Sequence, residues 1–179
     1  MRCVTCLAAV LLLIAGSASA AAVDVEAEKA AVAKVVDASI GWFATKDFDL
    51  LFRTMADDPD YFSYTPDSKG GVHGMEALRE KSAIWRDPAA KYVSHEIRNL
   101  RIHLHPSGEV AWYSAILDDC GEYGGQVGCW KDTRWTGVLE KREGRWVLMQ
   151  QHLSFASDKV REQVEKRLRE ELQAQGQKP

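Results

Sequence analysis

The chain lacks most of the features that usually give a function away. It has 4 cysteines in 179 residues, too few for a disulfide-built scaffold, so an apolar core must hold it. Only 5 prolines occur, which excludes collagen-like and polyproline designs. Positive charge is not in excess: 23 Lys+Arg against 26 Asp+Glu give a net charge of −3. The electrostatic footprint of a nucleic-acid binder is therefore missing. After the first twenty residues no apolar run approaches the ~20 residues that a membrane span needs. The stretch Gly70-Gly71-Val72-His73-Gly74 does not have Gly-x-Gly-x-x-Gly spacing, and no Lys-Ser/Thr follows it. A phosphate loop is thereby discounted, and no cofactor is expected. No Ser-His-Asp or Cys-His signature, internal repeat or low-complexity linker is visible.

What is present is an ordinary globular composition, 46% hydrophobic and 27% charged, enough for one domain with its own core. Met1-Arg2, an uncharged apolar run from Cys6 to Ala15, and Ala18-Ser19-Ala20 together have the form of a secretory leader cleaved after Ala20 or Ala22. The expected domain then covers residues 21–157, in the periplasm or outside the cell. Cys120 and Cys129 remain as an even pair in an oxidising compartment. If Gly124-Gly125 is a two-residue turn, Cys120 falls opposite Cys129 at disulfide range. The alternatives are two free thiols, or a metal pair without a local third ligand.

Asp24 to Lys46 has helical spacing, with Val32, Val35, Val36, Ile40 and Phe43 forming an apolar face. A short helix follows over 47–55 and a strand over Tyr61–Thr65. A loop spans Ser68–Gly74, and a third helix Met75–Trp85. Long strands are expected over 92–104, 109–119, 130–141 and 146–155. Residues 158–175 read as a charged helix with a narrow apolar stripe. Helices first and a strand meander after them indicate an α+β fold, with helices packed on one face of a curved sheet. The strands carry apolar residues on both parities, so both sheet faces should be covered, one by helices and the other by a second subunit.

Val110-Ala111-Trp112, Arg134-Trp135-Thr136-Gly137-Val138-Leu139, Gly144-Arg145-Trp146-Val147-Leu148 and His152-Leu153-Ser154 form a pattern. It resembles the SnoaL-like branch of the nuclear transport factor 2-like superfamily over about residues 27–156. The resemblance implies a cone-shaped, cystatin-like roll with N-terminal helices on its concave face, a pocket between helices and sheet, and a homodimer. It also implies that His152 points into the cavity. Such folds serve isomerases, dehydratases, hydrolases and non-catalytic assembly modules, so the fold does not choose among them.

Counting back from the two turns places Trp112, Ser114, Ile116, Asp118, Thr133, Trp135, Gly137, Gln150, His152 and Ser154 on one face. Because this set mixes aromatic walls with a few polar groups, it is the expected pocket lining. Trp112, Ser114, Trp135, Gln150, His152 and Tyr61 are the candidate ligand contacts. The tryptophans could instead be core packing, and His152 a hydrogen-bonded core histidine. Asp118 is the only carboxylate on that face, so Asp118 and His152 are the acid–base candidates. His103-x-His105 ends at Pro106 and reads as a solvated pair, so no metal site is expected. The expectation is an exported domain that binds a small, largely apolar molecule. The alternatives are an isomerase-, dehydratase- or hydrolase-type enzyme, or an assembly module.

Overall fold

The computed structural model describes residues 23–66 and 68–157, together with Lys166, Arg169 and Glu170. The leader expected over residues 1–20 lies outside the described residues, as does most of the charged tail. Lys166, Arg169 and Glu170 are helical.

Two aspartates start the leading helices. Asp24 accepts a hydrogen bond from the Ala27 N–H (3.1 Å) at the head of α1, Val25–Gly41, where Glu26 and Glu28 also favour the positive end of the helix. Asp47 accepts from the Leu50 N–H (2.8 Å) at the head of α2, Phe48–Thr54. α1 is shorter than its periodicity predicts. Past Gly41 the chain tightens into a 3₁₀ turn, Trp42–Ala44, and Lys46 takes a positive φ of 53°. The third helix, α3, runs Gly74–Ser82 and continues into a second 3₁₀ turn, Ala83–Arg86.

Six strands form one sheet: β1 Phe62–Tyr64, β2 Val72–His73, β3 Ala90–Leu104, β4 Val110–Tyr123, β5 Gln126–Arg142 and β6 Arg145–Ser154. Their spatial order is β2-β1-β6-β5-β4-β3. All neighbours are antiparallel except β1, which runs parallel to β6 with Ser63 beside Gln151. β2 falls in the segment expected to be a loop. The helices lie on one face, and α1 buries Val32 and Val36 completely there. The α+β class and the curved sheet roofed by N-terminal helices are as expected. Among the described residues no helix is long and apolar enough to cross a membrane.

Register decides what the sheet presents to the helices. The tip pairs as counted, Tyr123 with Gln126 and Cys120 with Cys129, and the two sulfurs are joined in a disulfide. Below the tip, β5 carries an extra residue. Asp119 pairs with Trp130 but Leu117 with Thr133, and Asp132 sits at φ 51° in the bulge. A second bulge falls at Met149, between the pairs Leu139–Leu148 and Val138–Gln150. Each slip moves every later side chain on that strand to the opposite face. The inner face is therefore Tyr113, Ala115, Leu117, Thr133, Trp135, Leu139, Leu148, Gln151 and Leu153, all buried. The expected pocket face is thus split: Thr133, Trp135 and Gly137 face the helices, while Trp112, Ser114, Gln150 and His152 face outward.

Candidate functional site

The helices and the inner face of the sheet enclose a cavity of about 650 Å³. Its roof is Ser39 and Ile40 from the end of α1, Trp42 and Phe43 from the 3₁₀ turn after it, Leu51 and Met55 from the α2 segment, and Leu78, Ser82 and Trp85 from α3 and its 3₁₀ turn. Its floor includes Ser63, Val72, Gln151 and Leu153. One whole wall is the β4–β5 hairpin tip, including Asp119, both disulfide cysteines, Tyr123, Val127 and Trp130. The lining is mainly apolar with a few separated polar groups, the usual make-up of a small-molecule site.

Two carboxylates line this site: Glu122 is paired with Lys91 (2.7 Å), and Asp119 is the desolvated one. It shares strand parity with Tyr113, Ala115 and Leu117, so the alternation that buries them turns it inward too. Loss of water around it pushes its carboxyl above the ordinary value, against the opposing pull of His95 and of the Cys120 N–H. His95 lies directly across on β3. The Tyr92 hydroxyl accepts from the His95 backbone N–H (2.9 Å) and is hydrogen-bonded to His95 Nδ1 (3.1 Å). The other ring nitrogen, Nε2, faces Asp37 Oδ1 at 3.6 Å. A hydrogen-bonded histidine thus stands between the cavity carboxylate and the outer end of α1.

Behind the floor is a second layer. The Trp135 indole N–H donates to Gln151 Oε1 (3.1 Å), which fixes the amide that lines the cavity. The Tyr113 ring meets Trp135 edge-on with centroids 5.2 Å apart. Tyr61 and Tyr113 are buried, and neither hydroxyl has a hydrogen-bond partner of good geometry. Burial raises both phenols, Tyr113 well above the usual range.

Most of the expected site residues lie elsewhere. His152 is exposed on the outer face, edge-on to Tyr64 at 6.1 Å. Trp112 and Ser114 are exposed on the same face, alternating with the buried Tyr113 and Ala115 along unbroken β4, and Gln150 is half-buried there, beyond the Met149 bulge. Trp112 stacks on His103 at 5.7 Å beside a smaller hollow of about 310 Å³. Trp135 and Tyr61 do face inward, but both are completely buried and belong to the layer beneath the cavity floor. Asp118 is also outside. It accepts from the Asp132 N–H (2.9 Å), Arg98 Nη2 (2.8 Å) and Lys131 Nζ (3.1 Å), and these bonds bring its carboxyl down to about 2. An acid so strongly held in its charged form is a poor proton acceptor. Sequence reasoning missed Asp119 and Gln151. Asp119 was accessible from its parity with Leu117, whereas Gln151 becomes visible only when the Met149 bulge is known.

A family model described as SnoaL-like domain matches residues 32–158. No curated protein matches the chain. Among solved structures, one from Novosphingobium aromaticivorans, provisionally assigned as a scytalone dehydratase, superposes with a TM-score of 0.63 at 13% identity, covering 74% of this chain and 86% of that one. A provisionally assigned dehydratase of the NTF2-like family from Streptomyces avermitilis gives 0.63 at 15% identity, covering 74% and 98%. The association domain of C. elegans CaMKII gives 0.56 at 18% identity, covering 73% and 97%. At these identities the likeness is one of fold.

Proposed function

We propose, from the premise that this chain belongs to the SnoaL-like domain family, that its cavity binds a small, largely apolar molecule and holds one polar group of it near Asp119. The observation that carries this reading is a single desolvated carboxylate in a wall otherwise built mainly of apolar side chains. A volume of about 650 Å³ lies well inside the range of small-molecule sites. Gln151, fixed by Trp135, offers a second polar contact from the floor. The test is native mass spectrometry of protein purified from its own compartment, with thermal shifts across a lipid and steroid panel. Retained ligand mass or a saturable shift is expected. Empty spectra together with flat melting curves would sink the reading. His152→Gln is expected to leave binding unchanged, since that ring lies on the opposite face.

A second reading, acid–base chemistry on the bound molecule, is favoured by the same carboxylate. Desolvation makes Asp119 a stronger base than a solvated aspartate, and His95 stands behind it. Two fold neighbours carry provisional dehydratase names, and removal of water needs such a group. Asp119→Asn should then abolish turnover while ligand is still bound.

The reading also includes export and self-association. A leader over residues 1–20 and the Cys120–Cys129 disulfide suit the periplasm or the cell exterior. The outer face exposes Trp112, 44% accessible, together with Tyr64 and Phe155. We assign that face to a homodimer, checked by sedimentation of Trp112→Glu against the parent chain.

A further inference from the structure

Five aromatic rings line the cavity that holds Asp119: Trp42, Phe43, Trp85, Tyr123 and Trp130. Three of them form one continuous cluster, since Phe43 stands 5.4 Å from Trp42 and 5.2 Å from Trp85. Trp130 is directly across from Asp119 on β5, which brings their β-carbons to roughly 5 Å. Phe43 reaches the next inward position of β4. A Cβ built on Gly121 would stand 3.9 Å from Phe43 Cε1, so the glycine leaves that ring beside the strand. Gly121 is two residues from Asp119, roughly 7 Å along the same face. The carboxylate thus has one ring on its own strand row and another over the next position.

Asp119 has no lysine or arginine paired with it among the described residues; it holds the Cys120 backbone N–H and lies in the field of His95. Both ring nitrogens of His95 are directed elsewhere, Nδ1 to the Tyr92 hydroxyl (3.1 Å) and Nε2 towards Asp37 (3.6 Å). Of the other charges in the lining, Glu122 is answered by Lys91 (2.7 Å), and Lys81 is exposed. The adjoining segments 46–49 and 80–87 add Asp47, Asp49, Glu80 and Asp87 against Lys46 and Arg86, so carboxylates outnumber cations around the opening. The outer rings of the aromatic cluster already hold cations. The Arg86 guanidinium lies 3.9 Å over Phe48, whose ring is 5.1 Å from Trp42, and Arg79 lies 4.6 Å over Phe52. Among the described residues no cation lies over the five rings inside.

We propose that the cavity takes an organic ammonium cation on an apolar skeleton, its charged nitrogen held at the Asp119 carboxylate and flanked by the Trp130 and Phe43 rings. The inference rests on the small-molecule reading of the cavity and names the polar group of that molecule. An ammonium group answers the unpaired carboxylate with opposite charge and is attracted by the negative faces of the aromatic lining as well. A neutral alcohol gives the carboxylate one hydrogen bond and leaves its charge uncompensated. An anionic ligand meets Asp119 and Glu122 as like charges.

The test is calorimetric titration of the purified protein at pH 7 with three probes on one skeleton: phenylbutylamine, phenylbutanol and phenylbutyrate. The amine is expected to bind about tenfold more tightly than the alcohol, and the carboxylate more weakly than either. Asp119→Asn should bring the amine down to the alcohol's affinity and leave the alcohol's own affinity within about twofold of the parent's. Trp130→Leu keeps the carboxylate and should narrow the gap between amine and alcohol by about threefold. A parent protein that binds the alcohol or the carboxylate as tightly as the amine would overturn the cation assignment and leave the cavity reading standing. An amine preference that survives Asp119→Asn, or is unchanged in Trp130→Leu, would place the cation elsewhere and overturn the proposal as well. Binding of none of the three would also overturn it. The cavity reading falls with it only if the native mass spectra are empty and the lipid and steroid panel gives flat melting curves.

Discussion

Gly137 should tolerate no side chain at all. It lies on the inner face of β5, under the Tyr113 ring. A Cβ built there would stand 2.5 Å from Tyr113 Cε1, 2.8 Å from Tyr113 Cζ and 2.7 Å from the Gln150 carbonyl oxygen. Two of these atoms belong to a rigid ring that is itself wedged edge-on against Trp135, and the third is backbone of the neighbouring strand. No flexible chain end can give way. Forcing a methyl into a packed core of this kind costs roughly 1–3 kcal/mol, and the strand contact puts Gly137→Ala at the upper end, about 3 kcal/mol. The usual gain of a few tenths to 1 kcal/mol from restricting a glycine in the unfolded chain is too small to offset that. For a domain of this size the melting temperature should fall by roughly 10 °C. Urea denaturation with an unchanged m-value measures the loss directly. Tyr113→Phe should not rescue the variant, because the colliding atoms are ring carbons. Tyr113→Leu should recover part of the loss. A Gly137→Ala protein within 0.5 kcal/mol of the parent would refute the geometry, and with it the rigid layer that fixes Gln151 in the cavity floor.

Three further outcomes follow from the charges and the buried amide. Asp118 is held near 2 by the Asp132 N–H, Arg98 and Lys131, so its stabilisation is complete above the unfolded value near 4 and is lost as pH falls towards 2. Asp118→Asn should flatten that part of the acid-unfolding curve, and superimposable curves would contradict the assignment. Asp119 is raised by desolvation, which gives the opposite sign: the protonated form suits the fold, and its contribution fades as pH rises through the elevated value. Asp119→Asn should therefore melt higher than the parent at pH 7 and converge with it at about pH 3, whereas a lower melting temperature at pH 7 would count against a desolvated carboxylate. Gln151→Leu leaves the buried Trp135 N–H without its acceptor and should cost about 1–3 kcal/mol in urea titrations, with ligand affinity falling as well.

The legible and illegible parts of this chain divide along one physical line. Features set by a few consecutive residues could be read. Asp24 and Asp47 cap their helices, Gly124-Gly125 turns the hairpin, and the counting that follows places Cys120 opposite Cys129. The fold class also follows, because the order of helical and alternating segments allows few ways to cover one sheet. The site could not be read, because it depends on parity carried over ten or more residues, and parity is destroyed by a single inserted residue. Asp132 is such an insertion. It takes the left-handed conformation that aspartate tolerates better than most residues, and its N–H is satisfied by Asp118, so the bulge is stabilised by the carboxylate that strand counting places in the pocket. Met149 leaves no comparable trace in the sequence. Between them the two bulges exchange His152 for Gln151 and Leu153, and carry Trp135 into the core. Asp119 escaped this scrambling because β4 is continuous from Ala111 to Tyr123, with the Asp132 insertion on its neighbour β5 and the Met149 insertion one strand further, on β6. Its inward direction follows from unbroken alternation with Leu117, Ala115 and Tyr113. The desolvated carboxylate of the cavity was therefore within reach of sequence reasoning.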